Sequence, residues 1–231
     1  VYVLTVYDDG GGPALYAGGG FTTAGAVETS RIAKWDGSSW AALGSGMGEN
    51  FPEIRALAGF DDGGGPALFA GGEFETAGGV AASRIAKWSG SSWGSLGNGI
   101  NSTVWALSVY DDGGGPALCA GGFFTSTGGV AANRIARWDG SSWAPFGIGM
   151  NSDVRALTVF DGVGGPVLCA GGSFTTAGGV AASRVAKWDG SSWAALGGGT
   201  NSTVSALTVF DDGGGPALYA AGTFTSAGGV A

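Results

Sequence analysis

Residues 31–40 read Arg-Ile-Ala-Lys-Trp-Asp-Gly-Ser-Ser-Trp, and the stretch returns at 84–93, 134–143 and 184–193 with few changes. Each copy is two short apolar runs, one closing and one opening on Trp, joined by a turn. Asp-Gly between two aromatic-ended strands is a hairpin signal. The pairs Trp35/Trp40, Trp88/Trp93, Trp138/Trp143 and Trp188/Trp193 are therefore predicted to face each other across the hairpin. The first Trp of each pair falls at 35, 88, 138 and 188, in steps of 53, 50 and 50. A fixed period of this size marks a repeat architecture.

Working outward, each repeat reads as four short strands. The first is exemplified by 154–160, Val-Arg-Ala-Leu-Thr-Val-Phe, and ends in an Asp-Asp-Gly-Gly-Gly-Pro turn in most copies. The second is exemplified by 14–19, Ala-Leu-Tyr-Ala-Gly-Gly; the hairpin supplies the third and fourth. The first two are near-continuous apolar runs, as strands covered on both faces are. No segment has the 3.6-residue period of a helix. The fold class is all-β: a β-propeller of four-stranded antiparallel blades. A single domain over 1–231 is expected, with blades at about 1–53, 54–103, 104–153 and 154–203 and a partial one at 204–231. The last stops before its third and fourth strands. The chain is then a segment of a longer array, or it has an open blade that pairs with another chain, a second copy included. The three extra residues of the first repeat fall in a loop at 48–53.

Four apolar residues and Gly-Gly closing the second strand, an aromatic closing the third and Trp opening the fourth together resemble the kelch-type blade. The doublets are Gly18-Gly19, Gly71-Gly72, Gly121-Gly122 and Gly171-Gly172; the fifth repeat has Ala221-Gly222. The pattern Gly-Gly-x-Phe…Trp-Asp-Gly-Ser-Ser-Trp looks like repeats of secreted and surface proteins in bacteria and fungi. The resemblance implies a propeller and an extracellular or cell-surface location. It implies no single function, because propellers host many. The copper-radical oxidation of one kelch-type class is not carried over, since it needs His ligands.

Composition narrows the function. The chain has 231 residues, 50 of them Gly, with 44% apolar residues and 9 Trp. That apolar content fills a core, and Gly at about three times its usual ~7% suits turns rather than helices. There is no His, which removes His triads and His-ligated metals. A net charge of −8 lacks the cationic footprint of a nucleic-acid binder. No apolar run approaches the ~18 residues of a membrane span. The expectation is a non-enzymatic interaction or structural module.

Groups identical in every repeat are expected to serve the blade, and groups that differ are released from that duty. Arg31, Arg84, Arg134 and Arg184 are expected to grip Asp or backbone carbonyls, and Phe21, Phe74, Phe124, Phe174 and Phe224 to fill the core. Nine of the 18 acids sit in the repeated turn, as Asp8, Asp9, Asp61, Asp62, Asp111, Asp112, Asp161, Asp211 and Asp212. They read as turn formers. No cofactor is expected; Ca²⁺ at the Asp-Asp-Gly turns is the alternative, against which stands the missing Asp-x-Asp-x-Asp spacing. Cys119 and Cys169 share a slot with Tyr16, Phe69 and Tyr219 and are expected to be free buried thiols. Asn101-Ser-Thr and Asn201-Ser-Thr match the glycosylation acceptor pattern.

Two positions vary. One holds Tyr2, Arg55, Trp105, Arg155 and Ser205, the second residue of the innermost strand, at one mouth of the expected channel. The other holds Gly20, Glu73, Phe123, Ser173 and Thr223. A binder of one protein partner would use Tyr2, Arg55, Trp105 and Arg155. A multivalent lectin would instead stack sugars on the repeated Trp40, Trp93, Trp143 and Trp193.

Overall fold

A computed structural model describes residues 1–48, 52–162 and 164–229. It is all-β, with no helix among the described residues. The first repeat folds into strands Val3–Asp8, Pro13–Gly18, Ile32–Trp35 and Trp40–Ala42, hydrogen-bonded in that order as an antiparallel meander. The second repeats the pattern with Glu53–Asp61, Pro66–Glu73, Ile85–Trp88 and Trp93–Ser95. The third uses Val104–Asp111, Pro116–Gly122, Ile135–Trp138 and Trp143–Pro145. The fourth uses Val154–Gly162, Gly165–Gly172, Val185–Trp188 and Trp193–Ala195. The fifth has two strands, Val204–Asp211 and Pro216–Gly222. Part of the expected 48–53 loop lies outside the described residues.

Contacts divide the chain into two compact bodies. One is Val1–Val104 with Thr127–Gly129 and Gly140–Ser142; the other is Trp105–Ser126, Val130–Asp139 and Trp143–Ala231. Each body has its own core. The first is built on Tyr16, Ile32, Met47, Ile54, Leu68 and Phe74, the second on Cys119, Ile135, Phe146, Val154, Leu168 and Phe174. The Phe of the Gly-Gly-x-Phe pattern is buried at Phe74, Phe124 and Phe174, as the sequence predicts, and only half-buried at Phe21 and Phe224.

Neighbouring repeats within a body are joined in two ways. Strand to strand, Gly18 admits Ile54, Gly121 admits Val154 and Gly171 admits Val204: a β-carbon added to these glycines would lie 2.5 to 2.6 Å from a methyl of the neighbour. Loop to loop, small hairpins after the second strand reach the preceding repeat. Thr76–Ala77 pairs with both Val80–Ala81 and Met47–Gly48. In the second body Gly178 N–H donates to Gly149 O at 2.8 Å, and Gly228 N–H to Gly199 O at 2.8 Å. The Ala-Gly-Gly segment of these hairpins thus forms an inter-repeat clasp. No helix is long and apolar enough to cross a membrane among the described residues.

Candidate interaction site

At Arg55, Arg155 and Ser205 the variable position is a bulge. In the second repeat Ile54 opposes Gly72 and Ala56 opposes Gly71, so Arg55 is passed over. Arg155 is passed over between Val154 and Ala156, and Ser205 between Val204 and Ala206. A bulge releases its residue from the ladder and re-aims the side chain. The flanking Ile54, Ala56, Val154 and Ala156 are buried and must stay apolar. The residue between them is free of that demand, which accounts for its variation.

In the first body the Arg55 guanidinium stacks on Tyr2, 4.1 Å from the ring centroid, and is ion-paired to Glu53. Tyr2 Oη donates to Glu53 Oε1 at 3.2 Å. A β-carbon added at Gly20 would lie 3.4 Å from Glu53 Oε1 and 3.6 Å from Tyr2 Oη, so both variable positions converge here. In the second body Arg155 lies 5.7 Å from the Trp105 ring centroid and 3.5 Å from Asp153. Phe123 carries a third stack, with Arg134 at 4.6 Å. Tyr2 is 52% and Phe123 51% exposed. A cation over a ring contributes about 0.5–1 kcal/mol at exposed sites. Here it also holds the guanidinium still, which lowers the ordering cost of any later contact.

The repeated groups have structural employment. Each Trp pair opposes across its hairpin, with ring centroids 5.3 to 5.5 Å apart. Trp93, Trp143 and Trp193 are buried; Trp93 Nε1 donates to Leu43 O at 2.9 Å and Trp193 Nε1 to Phe146 O at 3.2 Å. Rings buried to this degree present little face to a sugar. Trp40 is half-buried.

The acidic turns follow one plan. Asp8 Oδ1 accepts from Gly10 and Gly12 N–H, and Asp9 Oδ1 from Gly11 N–H. The same bonds recur at Asp61/Asp62, Asp111/Asp112 and Asp211/Asp212. The second Asp also pairs with a cation of the third strand: Asp9 with Lys34, Asp62 with Lys87, Asp112 with Arg137. The Lys34 hydrogen bond, with those from Tyr16 and Gly11, holds the Asp9 carboxyl below its ordinary range despite some desolvation. Backbone and hydroxyl donors of Ser191 and Ser192 hold Asp189 at about 2, and those of Ser38 and Ser39 lower Asp36. These are the downward shifts of structural acceptors, opposite to the raised value of a general acid. No group of three or more metal-capable side chains occurs among the described residues.

Three of the recurring arginines bind a backbone carbonyl of their own repeat rather than tying one blade to the next. Arg31, Arg84 and Arg134 each donate from Nη1 to Phe21, Phe74 and Phe124 O at 2.9 to 3.1 Å. All four occupy the left-handed region, at φ 65 to 70. Cys119 and Cys169 are free and buried. Burial raises both thiols, Cys169 to about 11. Asn201, in the second acceptor pattern, is already engaged: Nδ2 donates to Thr225 Oγ1 at 2.8 Å, and Oδ1 accepts from Thr225 and Ser226 N–H.

No family model matches the chain, and no curated protein is found to match it.

Proposed function

We propose that the chain is a non-enzymatic β-propeller module that binds a protein partner through Tyr2, Arg55, Trp105 and Arg155, outside the cell or on its surface. The observation that supports this reading most is the bulge. Residues common to all repeats are consumed by turns, hairpins and core, while Arg55 and Arg155 stand outside the sheet's pairing, stacked near Tyr2 and Trp105. Such stacks beside a carboxylate suit a peptide surface, where Arg and aromatic side chains carry most contact energy. Successive four-stranded meanders support the propeller assignment, with a first strand packed on its neighbour within each body. The extracellular placement follows the kelch-type resemblance.

A multivalent lectin is the second reading, favoured only by repetition of the Trp and weakened by their burial. A displayed peptide library selected on the chain, alongside a glycan array, separates the two. The proposal expects peptide binders that are lost on Arg55→Ala with Arg155→Ala and retained on Trp40→Ala. Binders indifferent to both arginines, or glycan binding abolished by Trp40→Ala alone, overturn it.

A further inference from the structure

The third repeat departs from its neighbours at three positions that meet in one place. Phe123 stands where the others carry Gly20, Glu73, Ser173 and Thr223. Asn133 stands in place of Ser30, Ser83 and Ser183, and Ile148 in place of Ser45, Asn98 and Gly198. The other repeats fold without these three residues. Asn133 Nδ2 donates to Ile148 O at 3.0 Å, so the second departure holds the third. Phe123 stacks on the Arg134 guanidinium, 4.6 Å from the ring centroid. Asn133, Arg134 and Ile148 line a cleft of about 350 Å³ against Thr176 and Gly179 of the fourth repeat.

One side of this cleft is charged and unanswered. Arg134 Nη1 donates to Phe124 O at 2.9 Å, but Nε is buried without an acceptor. In the first repeat the same atom, Arg31 Nε, donates to Pro52 O at 2.7 Å. Arg84 has Glu75 at 3.2 Å, whereas no carboxylate pairs with Arg134 among the described residues. A guanidinium lacking acceptors is the group that a carboxylate satisfies best. The other side is apolar: Ile148 is 66% exposed, its Cδ1 3.2 Å from where a β-carbon on Gly179 would lie. The floor between them is fixed. Gly178 N–H donates to Gly149 O at 2.8 Å, and Asn151 Oδ1 accepts from Thr175 and Thr176 N–H at 2.9 and 3.0 Å. A cleft already ordered in this way loses little freedom when a ligand enters.

We propose that this cleft binds a segment of the protein partner that sets an Asp or Glu carboxylate on Arg134 and the aliphatic side chain beside it on Ile148. The inference names the chemistry of that partner and rests on the reading of the chain as a peptide-binding module. Arg134 lies at the same end of the sheet as the first-strand bulges. In the fourth repeat Ser173, in the place of Phe123, donates its N–H to Asp153 O at 3.0 Å, two residues before Arg155. The charged pair would fix the register of the bound segment, and the aliphatic contact would add affinity.

The test titrates the peptide Gly-Ser-Asp-Leu-Ser-Gly, and the same peptide with Asn in place of Asp, into the ¹⁵N-labelled 231-residue chain. The expected result is saturable shifts at the amides of Ile148, Gly149 and Gly179 and at Arg134 Nε–H. Binding of the Asn peptide is expected to be about tenfold weaker, the fold set by one charge-assisted hydrogen bond. Ile148→Ser, which copies Ser45 of the first repeat and so suits the fold, is expected to weaken the Asp peptide about fivefold. No saturable shift at these groups, equal affinity for the two peptides, or an Ile148→Ser chain that binds as wild type overturns the inference. Failure of this probe with the Arg55- and Arg155-dependent peptide binders intact overturns the cleft alone; absence of those binders overturns the wider reading.

Discussion

At the scale of a residue, the recurring arginine shows how repetition hides a compromise. Its identity in all four complete repeats predicts a structural role; its backbone conformation is not legible from sequence, because Gly or Asn is the usual occupant of positive φ. Arg84 has φ 65, with its N–H donating to Phe74 O at 2.9 Å and its carbonyl accepting from Gly72 N–H at 3.0 Å. Nη1 reaches the same Phe74 carbonyl at 3.0 Å. The left-handed conformation costs about 1–2 kcal/mol for a residue with a β-carbon. The guanidinium contact offsets that cost, so two substitutions separate the effects. Arg84→Ala loses the contact and keeps the strain; Arg84→Gly loses the contact and relieves it. Urea denaturation is expected to rank wild type above Gly and Gly above Ala, the last two differing by about 1 kcal/mol. Equal stability of the two variants would remove strain from the account.

At the scale of an element, the Gly-Gly doublet divides its labour. The first Gly serves the neighbour: a β-carbon at Gly171 would lie 2.6 Å from Val204 Cγ1 and 3.2 Å from Leu207 Cδ1. The second serves its own sheet: a β-carbon at Gly172 would lie 1.9 Å from Asp153 O, and at Gly222 2.0 Å from Thr203 O. The fifth repeat keeps Gly222 and replaces only the first Gly, with Ala221. Gly171→Ala is therefore expected to destabilise by roughly 1–3 kcal/mol through overpacking. Ala221→Gly is expected to cost only the roughly 0.5–1 kcal/mol of added chain entropy in a strand. Denaturation midpoints measure both, and comparable losses would refute the division. Sequence exposed the doublet and its break at Ala221, and it exposed the hairpins, because Trp and Asp-Gly act locally. It did not expose the clasps at Thr76–Ala77, whose partners lie in another repeat, nor the bulges. The bulges at Arg55, Arg155 and Ser205 were visible only as members of a position, with Tyr2 and Trp105, where near-identical strands stop agreeing.

At the scale of the whole molecule, each body presents one repeat less protected than its neighbour. In the first body, Leu4 and Val6 are 58% and 70% exposed, while Leu57 at the position of Leu4 is 8% exposed. In the second, Phe210 is 59% exposed, while Phe160 at the same position of the preceding repeat is half-buried. Stability of an array of repeats is a sum of intrinsic terms and nearest-neighbour interfaces, so a repeat with one covered face opens first. Amide exchange is expected to be faster along Pro216–Gly222 than along Gly165–Gly172, and faster along Val3–Asp8 than along Glu53–Asp61. The difference is largest for Pro216–Gly222, where an entire edge of the strand lacks a partner strand among the described residues. Measured on the 231-residue chain at several concentrations, a gradient that persists on dilution identifies a property of the chain itself. Uniform protection that fades on dilution would mean another copy covers these strands, and uniform protection at every concentration would refute the gradient.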